Sequence, residues 1–183
     1  MLNLRSKLRR ALFGYYFTNP KAEHYLRELA ELLGLDAANL SRELAGLMRQ
    51  GLFLSRSRGR QKYFQLNRSH PLYDEFRRIV FKTIGVEGQL RDALRAVSGI
   101  REAYLYGSFA QDEQDTQSDI DVLIVGTPEA EALEDAIRKL ERRLSREINY
   151  TLMSPVEFRT RRGKKDPFLE DIWRNRRIDL LAA

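Results

Sequence analysis

Apolar residues in the first third of the chain recur at helical spacing. Residues 4–17 carry Leu4, Leu8, Leu12, Tyr15 and Tyr16 on that period, and Asn19-Pro20 interrupts it. A second helix is expected over 21–33, with Tyr25, Leu26, Leu29, Leu32 and Leu33 on one face and Gly34 as its stop. Asp36 is placed to cap a third helix running to about Gln50, with Leu40, Leu44, Leu47 and Met48 inward and Gly51 at its end. The period then falls to two, and 52–56 and 62–66 read as strands joined by a turn over 57–60. Residues 71–84 read as a helix with Pro71 in its first turn. Further helices are expected over 88–98 and 128–145, the latter with Leu133, Ile137, Leu140 and Leu144 inward. Strands are expected over 101–106, 120–125 and 147–152. Two more helices begin at Ser154 and Asp166, the last carrying Trp173. Helices and a hairpin followed by strands alternating with helices predict an α+β chain of two domains. These are 1–70 and 88–183, with 71–87 as a connecting helix that either packs against its copy in a homodimer or packs onto the second domain.

Composition narrows the chemistry. The 183 residues include no cysteine, which rules out disulfides and thiolate zinc sites. The two histidines, His24 and His70, lie far apart in helix-like contexts, which argues against a histidine metal site or a Ser-His-Asp triad. No run approaches the roughly 20 apolar residues that a membrane span needs. The basic N-terminus is not followed by an apolar core, so no secretion signal is expected and a cytoplasmic location follows. Charge is uneven: residues 1–85 hold 16 Lys and Arg against 7 Asp and Glu, whereas 86–183 hold 16 against 19. That asymmetry predicts a polyanionic partner for the first half.

The first half carries suitable groups. Asn39, Ser41 and Arg42 at the start of the third helix are types that reach base edges and phosphates in a major groove. Arg56, Arg58, Arg60 and Lys62 give the hairpin four cations and no acid, suited to double-stranded DNA. Leu29-Ala30-Glu31-Leu32-Leu33-Gly34-Leu35 followed by Asn39-Leu40-Ser41-Arg42-Glu43-Leu44 resembles the turn and recognition helix of winged helix-turn-helix repressors of the arsenic-sensor and multiple-antibiotic-resistance kinds. A plain helical interaction domain with a solvated basic hairpin is the alternative.

The second half holds a sharper pattern. Gly107-Ser108 follows an apolar run, and Asp119-Ile120-Asp121 opens another after ten intervening residues. Side chains alternate along a strand, so Asp119 and Asp121 share a face and repel unless a cation lies between them. Oxygen ligands of this kind favour Mg²⁺. A glycine lets backbone approach a phosphate closely, and a serine hydroxyl with helix-start amides can bind the anion. The competing reading is a solvated acidic loop of Asp112, Glu113, Asp115, Asp119 and Asp121. Asp121 speaks against it, because it sits between Ile120 and the run 122–125, where an unpaired carboxylate is costly.

Gly107-Ser108-x10-Asp119-x-Asp121, with Tyr104-Leu105-Tyr106 before it and Val122-Leu123-Ile124 after it, resembles the nucleotidyltransferase signature of the polymerase-beta superfamily, most closely its minimal nucleotidyltransferases. The resemblance covers about residues 86–160. It implies that Gly107 and Ser108 hold a triphosphate and that Asp119 and Asp121 ligate Mg²⁺ carrying ATP or another nucleoside triphosphate. Such enzymes usually bring a third carboxylate from a later strand. Here the aligned position is Asn149, an amide that ligates weakly and is no base. Glu147 shares its face and would substitute if the register moved by two; otherwise it is a surface acid paired with Arg143 or Arg146. The expected function is therefore a DNA-binding transcriptional regulator whose nucleotidyltransferase-like domain binds Mg²⁺-nucleotide. The alternative is an active enzyme that adenylylates a protein or small-molecule hydroxyl, as the resembling antitoxins do to a toxin. A third reading is a binding module that has lost both chemistry and nucleotide.

Overall fold

A computed structural model describes residues 4, 6–111 and 118–182. Backbone contacts divide the chain into two compact units, 1–86 and 87–183.

In the first unit α1 (Lys7–Thr18) starts at Ser6, whose side chain accepts from the Arg9 amide. After it come β1 (His24–Tyr25), α2 (Leu26–Leu33), α3 (Ala37–Arg49), β2 (Phe53–Arg58), β3 (Gln61–Leu66) and α4 (Tyr73–Thr83). Asp36 caps α3 by accepting from the Asn39 amide at 2.8 Å, as the sequence predicts. Gly34 ends α2 in the left-handed region at φ +61°, a conformation that costs glycine nothing. The hairpin is tighter than expected: Arg58 pairs with Gln61, leaving Gly59 and Arg60 as a two-residue turn with Gly59 at φ +59°.

Two expectations need correction. Residues 21–25 are not helical. His24 and Tyr25 form a short strand antiparallel to β3, opposite Phe64 and Tyr63, giving a three-stranded sheet of order β1-β3-β2. A pairing between residues forty apart wins there over local helical spacing, which reports only neighbours on the same helix. Tyr15 Oη lies 2.6 Å from His24 Nε2 and ties this strand to α1. Pro71 precedes α4 rather than opening it, with Leu72 at the cap.

One core serves α1 to α4. Leu12, Phe13, Tyr16, Leu29, Leu40, Leu44, Leu47, Phe53 and Val80 are all essentially inaccessible, with Tyr73 and Phe76 of α4 packed against them. Each such side chain contributes roughly 1.5–3 kcal/mol of burial. The Tyr16 hydroxyl reaches the Phe64 carbonyl at 2.9 Å, so even the one polar atom of that ring is partnered.

The second unit runs α5 (Val86–Arg95), β4 (Ile100–Tyr106), α6 (Gly107–Gln111), β5 (Ile120–Gly126), α7 (Ala130–Leu144), β6 (Ile148–Met153), α8 (Pro155–Gly163), α9 (Pro167–Arg174) and β7 (Ile178–Asp179). Its sheet has the order β6-β5-β4-β7 and is mixed: β4 is antiparallel to β5 and β7, and β6 is parallel to β5 across the α7 crossover. The register sets Tyr106 opposite Asp121 and Asp121 beside Asn149; the next row is Tyr104, Leu123 and Thr151, and the next Glu102, Val125 and Met153. These rows lie on one face. Leu123, Val125 and Met153 there join Phe158, Leu169, Ile172 and the edges of Tyr104, Tyr106, Phe168 and Trp173 in one cluster. The alternate residues Ala103, Leu105, Ile120, Val122 and Ile124 are buried on the other face, which explains why β5 reads as an unbroken apolar run from Val122 to Val125. Leu133, Ile137, Leu140 and Leu144 are the buried stripe of α7, as its spacing predicts.

Candidate active site

The site is the polar end of an otherwise apolar sheet face. Moving along β5 from Val125 through Leu123, the face turns at Asp121 and Asp119 from hydrocarbon to carboxylate, beside Tyr106 on one side and Asn149 on the other. Asp119 and Asp121 are both half-buried. The Asp121 carboxyl is pushed above its ordinary value of 3.8, first by burial and then by the negative charge of Asp119. Two half-buried acids on one strand face, one of them raised by the other's charge, make an arrangement whose burial and repulsion costs a bound dication would relieve.

Gly107 supplies the fit. It leaves β4 at φ +68° and opens α6, and a Cβ built on it would collide with Asp121 Oδ2. Positive φ and contact with the carboxylate both demand glycine. Alanine in its place would carry about 1–2 kcal/mol of left-handed strain and would force the Asp121 carboxylate aside. Gly107→Ala is therefore expected to lower the melting temperature and to weaken metal-dependent ligand binding together, as differential scanning fluorimetry with and without Mg²⁺ and nucleotide would read. Ser108 is half-buried in the first turn of α6, on the chain segment that Gly107 turns toward the acids.

Asn149 stands at the third position of the row, exposed, and donates through Nδ2 to Asp119 Oδ2 at 3.1 Å. Glu147 is exposed just before β6, and its backbone carbonyl accepts from the Ile120 amide. Among the described residues, no three His, Asp or Glu side chains gather as a ready metal cluster. Asp112, Glu113 and Asp115 lie outside the described residues.

Two neighbours were not legible as site residues. Tyr106, whose side chain bonds Thr151, is raised above its ordinary pKa by burial and by Asp121, and its ring packs edge-on against Phe168 at 5.8 Å. This closes the apolar side of the site. Arg146 reads in sequence as a surface partner for Glu147. The fold instead leaves it 8% exposed, with Nη1 donating to the Ser118 carbonyl at 3.0 Å and its guanidinium 5.8 Å from the Phe109 ring. No local pattern marks an arginine that is buried by a strand arriving from elsewhere.

The residues expected to meet DNA are all exposed in the first unit, but the hairpin register sets Arg56 and Arg58 on one face, with Tyr63, and Lys62 on the other, with Phe64. Asn39, Ser41 and Arg42 are exposed on α3, with Arg42 Nη2 bonded to Asn39 Oδ1 at 2.6 Å. Arg56, Arg58, Arg60 and Lys62 are exposed on the hairpin. Ser41, Arg60 and Lys62, with Arg27, Tyr25 and Phe64, line a groove of about 460 Å³. Arg58 differs from its neighbours: Glu23 reaches it at 2.6 Å, and its guanidinium sits 5.1 Å from the Tyr63 ring. The hairpin itself holds no acid, but the fold brings one to it.

No helix among the described residues is long and apolar enough to cross a membrane. The family profile described as "Nucleotidyltransferase domain" matches residues 87–180. No curated protein matches the chain. Among solved structures, a toxin-antitoxin MntA-HpeT mutant aligns at 18% identity and TM-score 0.40, covering 54% of this chain and 74% of that one. A toxin-antitoxin structure with AMP-PNP aligns at 20% identity and TM-score 0.39, covering 53% and 73%. A protein from Sulfolobus solfataricus, described as a nucleotidyltransferase, aligns at 21% identity and TM-score 0.25, covering 44% and 68%.

Proposed function

The chain belongs to the nucleotidyltransferase domain family, and from that premise we propose that its second unit binds a nucleoside triphosphate with Mg²⁺ and transfers the nucleotidyl group to a hydroxyl acceptor. The observation that carries this reading is the pairing of Asp119 and Asp121 on one strand face, with Gly107 shaped around the Asp121 carboxylate. Family membership supports transfer above the purely regulatory reading of the sequence.

In this proposal Asp119 and Asp121 hold the ion. Gly107 and Ser108 meet the triphosphate, glycine by permitting backbone approach and serine by donating its hydroxyl. Mg²⁺, when bound, offsets the triphosphate charge and polarises the α-phosphate. The acceptor oxygen forms a bond to the α-phosphorus, the bond to the bridging oxygen breaks, pyrophosphate leaves, and the hydroxyl proton passes to water. Asn149 offers no lone pair basic enough to take that proton, so transfer is slow. Tyr106 and Phe168 shield one side of the reacting group from solvent.

The test is incubation of the full chain with each α-labelled ribonucleoside triphosphate and Mg²⁺, with and without cell lysate as a source of protein and small-molecule acceptors. Transfer of label with release of pyrophosphate is expected. A chain that neither binds nor transfers any of them overturns the proposal.

A second reading concerns the first unit, and the cation-lined groove between α3 and the hairpin favours it. We infer that this unit is a winged helix-turn-helix that binds double-stranded DNA, with α3 in the major groove and the hairpin on the backbone. Exposed Leu72 at the cap of α4 and Ile79 within it suit a homodimer contact. Arg60→Ala with Lys62→Ala should reduce the slope of log affinity against log salt by about 2, one per lost phosphate contact. Arg58→Ala should change it less, because Glu23 already neutralises Arg58. An unaltered slope in the double variant counts against the groove as the DNA surface.

A further inference from the structure

The geometry points to a site for one divalent ion where two-metal phosphoryl-transfer sites hold a pair; this rests on the nucleotide-binding reading of the second unit and deepens it. Paired ions sit roughly 3.5–4 Å apart and together carry four positive charges. Small octahedral ions such as Mg²⁺ take carboxylate oxygens at about 2.0–2.1 Å. The triphosphate supplies negative oxygens to the ion that travels with it, besides the carboxylates; a second ion, held away from the β- and γ-phosphates, calls for a third negative ligand from the protein on the same face.

The third place in the row is occupied by an amide. Asn149 is fixed beside Asp121 by the parallel register of β5 and β6, and its Nδ2 faces the Asp119 carboxylate at 3.1 Å. A donor N–H therefore lies against the carboxylate edge that a second ion would have to share. Arg146 is held at the same end of the strand, its buried guanidinium donating to the Ser118 carbonyl one residue before Asp119. Glu147, the remaining acid on that parity of β6, does not converge with Asp119 and Asp121 into a three-acid cluster among the described residues. Together these features disfavour a second dication and leave the ion that travels with the triphosphate.

The ions can be counted. The full chain is saturated with the α,β-methylene analogue of ATP and titrated with Mn²⁺, with bound ion measured by equilibrium dialysis and by electron paramagnetic resonance. One Mn²⁺ per bound nucleotide is expected, with the spectrum of an isolated ion. Asn149→Asp, nearly isosteric and so folded, should bind two and show the exchange-coupled signal of neighbouring ions. Glu147→Gln should remain at one. Two coupled ions in the native chain overturn the proposal, as does an Asn149→Asp variant that stays at one or a Glu147→Gln variant that loses an ion. A chain that binds no nucleotide at any Mn²⁺ concentration removes the underlying reading as well, so the two failures are told apart.

Discussion

Asp121→Asn is expected to melt higher than the native chain in EDTA at neutral pH and to lose Mg²⁺-dependent nucleotide binding. The stability half follows from the raised carboxyl. Burial and the neighbouring Asp119 charge both disfavour the ionised form, so its folded pKa lies above the ordinary 3.8. Between those two values the folded chain holds more protons than the unfolded one, and stability falls as pH rises. Above the folded value the cost is fully present, and at pH 7 the wild-type apoprotein bears it. The neutral amide removes the charge and with it that cost. The binding half follows from ligation: losing even an outer-shell partner of a metal ligand can cost about 10–100-fold, and Asp121 is itself placed to be the ligand. Melting curves of both proteins, with EDTA and with Mg²⁺ plus nucleotide, check both halves at once. The native chain should gain stability from the ligands and the variant should not. A variant that melts lower in EDTA, or that still responds to Mg²⁺-nucleotide, contradicts the role given to Asp121.

Asn149→Asp should raise the rate of nucleotidyl transfer. The register places residue 149 beside Asp121 and its side chain against Asp119, so a carboxylate there enters the row without any movement of backbone. It adds a lone pair able to accept the proton of the attacking hydroxyl, and general-base assistance of this kind contributes roughly 10²–10⁴-fold. Stability should move the other way. A third acid beside two that already repel one another lowers the melting temperature without metal, and Mg²⁺ should restore it. Single-turnover release of labelled pyrophosphate from the native and variant chains measures the rate. If the variant is no faster while binding nucleotide equally well, position 149 does not face the reacting group and another residue limits the chemistry.

These two substitutions pull in opposite directions for one reason. The site concentrates like charge in a half-dry place, and stability without ligand is given up for affinity with it. The same compromise made the site visible in sequence, since a carboxylate embedded in an apolar strand requires an explanation that a surface acid does not.

Much of the fold was legible for comparable reasons. Asp36, Gly34 and Gly51 punctuate α2 and α3 because caps and left-handed turns use residue types with few substitutes. The leucine stripe of α7 is periodic because a helix on a sheet buries one face. Other features depended on partners distant in sequence. His24 and Tyr25 leave the helical pattern to pair with β3, Glu23 reaches Arg58, and Arg146 is enclosed at the start of β5. Each is settled by a strand or side chain arriving from at least twenty-eight residues away, which no periodicity encodes.

By itself, then, the order of residues singled out Gly107, Ser108, Asp119 and Asp121 as candidates for a phosphate-bearing ion, predicted that the two acids share a face, and set Asn149 where the resemblance leads one to expect a third acid. Only the tertiary structure decided that Gly107 is shaped around Asp121 and that Asn149 turns a donor toward Asp119. Local chemistry is written in residue types and in the two-residue period of a strand. Which groups touch depends on the register between strands, and that is set by how both faces of the sheet are covered.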